Sequence, residues 1–198
     1  MSLRSIGPSS VAPPHFAPAA AEGMPLEFEQ VYSDHADLVF RNLRRMGLRP
    51  PTLDDAMQDV FLVVHRRLHE FEQRSALKTW IIGIALRVAS DHLRRQKRQA
   101  ARHEPLDADV SDLARKDPHE LAAARQQAAL LYAILAELDE AKRAVFILAE
   151  IEELSAPEIA QVVNANVNTV ASRLKAARRK FAEVLRRERA KALWRQLP

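Results

Sequence analysis

Hydrophobic residues recur at three-and-four spacing through most of this chain, and nowhere do they sustain single alternation. From Leu26 onward, Phe28, Val31, Tyr32, His35, Leu38, Val39 and Leu43 predict one buried face of a helix. Gly47, after Arg44 and Arg45 and before Pro50 and Pro51, marks its end. Thr52 opens a second helix with Asp55 in the capping-box position, and its apolar stripe is Met57, Val60, Phe61, Val64 and Leu68. Phe71 to Arg74 breaks the pattern. Ser75 is placed to cap a third helix, which carries Trp80, Ile81, Ile84, Ala85, Val88, Ala89 and Leu93.

The first 25 residues behave differently. Pro8, Pro13, Pro14, Pro18 and Pro25 stand among Ala, Ser and Gly with no hydrophobic period, which predicts a disordered tail over 1–25. A secretory signal needs a continuous apolar core behind a basic start, and the prolines interrupt any such core. Periodicity is lost again from about Gln99 to Lys116, so 100–117 reads as a flexible linker. Asp117, Pro118 and Glu120 then form a helix start, followed by Leu121, Ala124, Ala128, Leu131, Ile134 and Leu135 on the apolar side. A further helix begins near Asp139 and buries Ala144, Val145, Ile147, Leu148 and Ile151. The pattern predicts an all-α protein in two small helical domains, 26–99 and 118–198.

Composition removes several classes of function. With no cysteine, disulfide scaffolds, thiolate zinc sites and cysteine nucleophiles are excluded. The 4 glycines form no phosphate-cradling loop. No apolar stretch reaches the roughly 18 residues of a membrane span, so no membrane insertion and a cytoplasmic location are expected. His65 and His69 share a helical face but lack a third ligand and flank Arg66, Arg67 and Glu70, so they read as exposed histidines rather than a metal site. Asp54 and Asp55, being adjacent, point different ways and are explained by a helix N-terminus. No catalytic constellation is visible; neither enzyme activity nor a cofactor is expected.

The segment from Glu152 to Lys180 is the most informative. Ser155-Ala156-Pro157-Glu158 is a capping box opening a short helix through Ile159, Ala160 and Val163. Asn164, Asn166 and Asn168 follow, a residue type that tolerates left-handed backbone and caps helices through its side chain. A longer helix then buries Val170, Leu174, Ala177, Phe181 and Leu185. Two helices across a tight turn make a helix-turn-helix, whose second helix enters the DNA major groove by its N-terminal end. Thr169, Ala171 and Ser172 suit base edges there, and Arg173, Lys175, Arg178 and Arg179 suit phosphates. By spacing alone, a plain helical hairpin with a solvated basic face remains the competing reading.

Charge bears on that choice through its position. The net charge is only +4, from 30 Lys+Arg against 26 Asp+Glu. Yet nine cations lie between Arg173 and Lys191, with only Glu183 and Glu188 among them. A second basic run holds Arg87, Arg94, Arg95, Lys97, Arg98 and Arg102. Two such runs, one in each helical unit, fit two DNA contacts set apart along a duplex.

These segments resemble the extracytoplasmic-function (group IV) sigma factors of bacterial RNA polymerase, over about Phe28 to Arg189. Leu154-Ser155-Ala156-Pro157-Glu158-Ile159-Ala160 is similar to the family's Leu-Ser-x-x-Glu-Ile-Ala in region 4. Val167 to Leu174 is similar to its recognition-helix signature Val-Gly-Thr-Val-Lys-Ser-Arg-Leu. Asp55-Ala56-Met57-Gln58-Asp59-Val60-Phe61 resembles Asp-x-x-Gln-Glu-x-Phe of region 2, and Thr79 to Ala85 followed by Asp91-His92-Leu93-Arg94-Arg95 resembles Trp-Leu-x-x-Ile-Ala and Asp-x-Leu-Arg-Arg. The resemblance implies a region 2 helical bundle and a region 4 helix-turn-helix. It implies that Asp55, Gln58, Asp59 and Phe61 dock the β′ clamp helices of core RNA polymerase, the β flap being a further contact. Phe71, Ser75, Lys78, Trp80, Arg87, Arg94 and Arg95 would meet promoter DNA at the −10 element, with Phe71 to Leu77 as the loop that captures an extruded base. Asn168, Thr169, Ala171, Ser172, Arg173, Lys175, Arg178 and Arg179 would read the −35 element. An anti-sigma factor is the further partner it implies.

Asn164, Asn166 and Asn168 replace the family's usual Gly, Pro and Gly, Ala171 stands where Lys or Arg is common, and Arg87 where Asn is common. Those departures bear on the DNA sequence preferred. A stand-alone helix-turn-helix regulator is the alternative function. It has no need of the region 2-like segment.

Overall fold

Three amphipathic helices close on one another in the first half of the chain: α1 (Phe28–Arg45), α2 (Thr52–Arg67) and α3 (Leu77–Ala100). The structure, a computed structural model, describes residues 27–72, 75–100 and 118–194, so the expected tail and most of the expected linker lie outside the described residues. Gly47 ends α1 with φ +102°, a left-handed conformation that favours glycine. A Cβ there would also stand 2.5 Å from Arg143 Nη1 of the second half.

α3 is the central element. Trp80, Ile81, Ile82, Ile84, Ala85, Leu86, Val88 and Ala89 are all buried, so the helix is apolar around most of its girth rather than along one stripe. It packs on α1 and α2 and also meets α6 of the second half, which explains the extra burial. Its far end is tied to α2 by His92 Nε2 against Asp59 Oδ2 at 2.9 Å and by Gln96 Nε2 donating to Thr52 Oγ1 at 3.0 Å.

Two expected caps are corrected by these contacts. Thr52 begins α2 but makes no capping bond; its hydroxyl is used by Gln96, and Pro51 occupies the cap position. Among the described residues Ser75 bonds the Ala76 carbonyl rather than capping a helix, and α3 starts at Leu77 with Trp80 N donating to Ala76 O at 3.2 Å. The α2 stripe extends further than expected, adding Leu53 and Ala56 to the core, while Tyr32 of α1 is 47% exposed.

The second half holds α4 (Pro118–Ala136), α5 (Glu140–Glu150), α6 (Ala156–Val162) and α7 (Val167–Trp194). Asp139 caps α5 by accepting from Lys142 N at 2.9 Å, as its position before the apolar run predicts. α7 is the spine of this half, burying Val170, Ala177 and Val184 against α5, α6 and α4. Phe146 of α5, absent from the expected stripe, stacks on Phe181 with ring centroids 4.7 Å apart. Among the described residues the architecture is wholly helical.

Candidate nucleic-acid and protein interfaces

The turn before α7 forms as its asparagines predict. Asn164 takes φ +48°, and Asn166 Oδ1 accepts from Asn168 N at 2.8 Å, capping the recognition helix. On the other side of the turn, Ser155 N donates to Glu158 Oε2 at 2.8 Å and Ser155 Oγ donates to the same atom at 2.5 Å. These two bonds, the side-chain one first, hold the Glu158 carboxyl below the usual carboxylate range against a small opposing effect of burial. A depressed folded-state pKa means the contribution is complete above the unfolded value and is lost as pH falls through the depressed one. Glu158→Gln is therefore expected to cost about 1 kcal/mol at pH 7. The difference from the parent should shrink in thermal melts taken below about pH 4.

At 100° per residue, Asn168, Ala171, Ser172, Lys175 and Arg179 fall on one face of α7, and all five are exposed. The buried Val170, Ala177 and Val184 lie on the other. This is a continuous stripe of small and polar residues, cationic from the third turn. Thr169 is half-buried beside it. Arg173 stands on the flank, half-buried, with its charge near Asp139. Arg178 is held by Glu150, Nη2 to Oε1 at 2.6 Å. Further along, Lys180 and Arg187 both reach Glu137, at 3.9 and 2.7 Å. The basic run thus divides by face: several of its cations are partly neutralised within the fold, while Lys175 and Arg179 face solvent on the stripe.

The candidate −10 residues are not brought into one place. Phe71 and Trp80 pack together with centroids 5.4 Å apart, but Trp80 is only 6% exposed. Its ring is core and lies against Phe71 rather than open to solvent. Ser75 is half-buried, and residues 73 and 74 of the proposed capture loop lie outside the described residues. Arg87 and Arg94, seven residues apart, share a face of α3, with the exposed Arg95 beside them. Burial, reinforced by the nearby charge of Arg67, pushes the Arg87 guanidinium below its ordinary range. Lys78 sits on a different face and turns to the second half, its Nζ 2.9 Å from Glu152 Oε2.

Of the candidate docking residues, Gln58 and Phe61 line an apolar groove of about 520 Å³ between α1 and α2, with Phe28, Tyr32, Met57 and Leu62 among others, whereas Asp55 and Asp59 do not line it. Phe61 is its buried floor, with the Tyr32 ring 4.5 Å away, and Leu62 is 44% exposed at its edge. Tyr32 was not legible as a surface residue, because its spacing put it on the buried face of α1, whereas Leu62 lies off the predicted α2 stripe. Asp55 is exposed on the same helix, while Asp59 is shared with His92. His65 turns its ring edge-on to Phe28 at 4.8 Å, which separates it from His69 beside Glu70.

A helix-turn-helix with an exposed polar stripe, folded beside a second helical unit with its own basic helix and an open apolar groove, defines a DNA-binding transcription factor that also docks on protein. Family models for Sigma-70 region 2 and for Sigma-70, region 4 match residues 31–99 and 128–181. The ECF RNA polymerase sigma factor SigX of Bacillus subtilis is 32% identical over 169 residues, covering 81% of this chain and 86% of SigX. The RNA polymerase sigma factor CnrH of Cupriavidus metallidurans is 29% identical over 175 residues, covering 85% and 92%. A solved structure of CnrH with the cytosolic domain of CnrY superposes with a TM-score of 0.57 at 26% identity, covering 80% of this chain and 86% of that one. The sigma factor RpoE of Bartonella quintana, solved with the anti-sigma factor NepR, shares the fold with a TM-score of 0.65 at 18% identity, covering 80% and 96%. The chain belongs to the extracytoplasmic-function sigma factors of the sigma-70 family.

Proposed function

We propose that this sigma factor docks on core RNA polymerase through the α1–α2 groove and directs initiation at promoters carrying matched −35 and −10 elements. The observation that carries the reading is the pairing, in one chain, of a presented recognition stripe with a separate helical unit bearing an exposed apolar groove. A stand-alone regulator has use for the first and none for the second.

In this reading residues 26–99 are the region 2 domain, 118–198 the region 4 domain and 100–117 the connection between them. Asn168, Ala171 and Ser172 face base edges at −35, and Lys175 and Arg179 meet phosphates beside them. Arg87, Arg94 and Arg95 track the backbone near −10, where flipping a base costs a few kcal/mol and Phe71, backed by Trp80, offers a stacking surface. Gln58 and Phe61 lie in the groove that takes the β′ clamp helices, with Asp55 and Asp59 on the same helix outside it, and region 4 meets the β flap. The protein supplies binding energy and leaves bond chemistry to the core enzyme. An anti-sigma factor, as RpoE is seen to bind, would cover the same groove and stripe.

Promoter binding by the assembled holoenzyme across a salt series tests the recognition assignment. Lys175→Ala and Arg179→Ala should each weaken binding and lower the log–log salt slope by about 1. Arg173→Ala should weaken it as well. Unchanged binding by all three variants refutes the assignment.

A further inference from the structure

We propose that Glu152, at the corner between α5 and α6, is an electrostatic latch that holds the two helical units closed and withholds Lys78 from DNA. The inference concerns the free chain and rests on the promoter-binding reading only for what the latch withholds. The backbone fixes the corner: Glu152 N donates to Ile147 O at 3.0 Å, Leu154 N donates to Leu148 O at 2.9 Å, and Glu153 between them takes φ +58°. The Glu152 carboxylate is thereby aimed across the seam, with its side chain 3% exposed.

Three groups from the other unit meet it there. Asn42 Nδ2 and Arg45 Nη1 of α1 each donate to Oε1 at 3.0 Å, and Lys78 Nζ of α3 reaches Oε2 at 2.9 Å. A carboxylate removed from water is tolerated only when its oxygens are compensated, and here the compensation comes from the opposite unit. Separation of the units would rehydrate one acid and two cations, so the seam is stable when shut yet free to open. Further polar contacts flank it, beside the apolar packing of α3 on α6. Arg143 of α5 donates to the carbonyl of Met46, Arg44 lies over the Tyr132 ring at 5.0 Å from its centroid, and Lys97 approaches Glu140 at 3.6 Å.

The same corner touches both candidate DNA surfaces. Glu152 holds Lys78 of the −10 side, and Glu150, two residues earlier, holds Arg178 of the −35 side. Two carboxylates thus occupy places where DNA phosphates would otherwise pair with those cations. Promoter phosphates compete for Lys78 directly.

The chain has no cysteine, so Ser33→Cys in α1 and Arg189→Cys in α7 provide a single pair of dye sites for energy transfer between the units. Glu152→Gln should shift the labelled chain to lower transfer at ordinary salt, and Arg45→Gln, which alters the opposite side of the seam, should do the same. Helix content by circular dichroism in each variant shows whether the units themselves stay folded. Affinity of the free chain for a single-stranded oligonucleotide should rise by up to about tenfold in Glu152→Gln as Lys78 is released, and Lys78→Gln should abolish that gain. Transfer unchanged in both folded variants overturns the latch. Lower transfer without any gain in oligonucleotide affinity overturns the withholding of Lys78. Lower transfer in a chain that never binds polymerase leaves the latch standing and refutes the functional reading instead.

Discussion

Leu62→Asp is expected to lower affinity for core RNA polymerase by at least about 100-fold while leaving the fold intact. Leu62 is 44% exposed at the edge of the α1–α2 groove, beside the half-exposed Tyr32 and above the buried Phe61. An exposed apolar patch of this kind marks a contact surface, and a charge set within it is stranded without water or partner once the surface is covered. A 100-fold loss corresponds to about 2.7 kcal/mol, within the range of an interface hot spot. The side chain points outward, so the melting temperature should move little. Equilibrium binding of labelled core enzyme, with circular dichroism as the control, measures both. Full affinity in a folded Leu62→Asp chain would remove the groove from the docking surface.

Trp80→Ala is expected to destabilise the first helical unit by about 3–5 kcal/mol. The ring is 6% exposed and packs on Phe71, between a helix buried on nearly every side and the start of the proposed capture loop. Truncation leaves a cavity that these neighbours fill only partly, whereas Trp80→Phe keeps an aromatic surface and should lose much less. Chemical denaturation measures the difference. If Trp80→Ala kept its stability and lost only promoter opening, the ring would be a DNA contact and its place in the core would be wrong.

The helices and their signals were legible because they depend on near neighbours. Gly47, Asp139, the Ser155–Glu158 box and the left-handed Asn164 each act within a few residues of themselves, and each behaves as its residue type requires. The recognition stripe was legible for the same reason, since helical spacing alone sorts Lys175 and Arg179 from Val170 and Ala177. What escaped were consequences of long-range packing. Lys78 read as a free DNA contact until Glu152 placed a carboxylate beside it, and Glu152 bonds Asn42, 110 residues away. Trp80 and its neighbours read as one stripe because nothing local announces that α6 covers another side of α3. Thr52 carried a cap signal that a tertiary partner, Gln96, overrode.

Promoter-directed initiation is tested most directly by transcription itself. Purified chain is combined with bacterial core RNA polymerase on a library of supercoiled genomic fragments, and transcript 5′ ends are mapped with and without the protein. Start sites should appear only when the chain is present and share two upstream motifs at −35 and −10 positions, with co-elution of chain and core enzyme. A chain that fails to co-elute with core enzyme and adds no start site would contradict it.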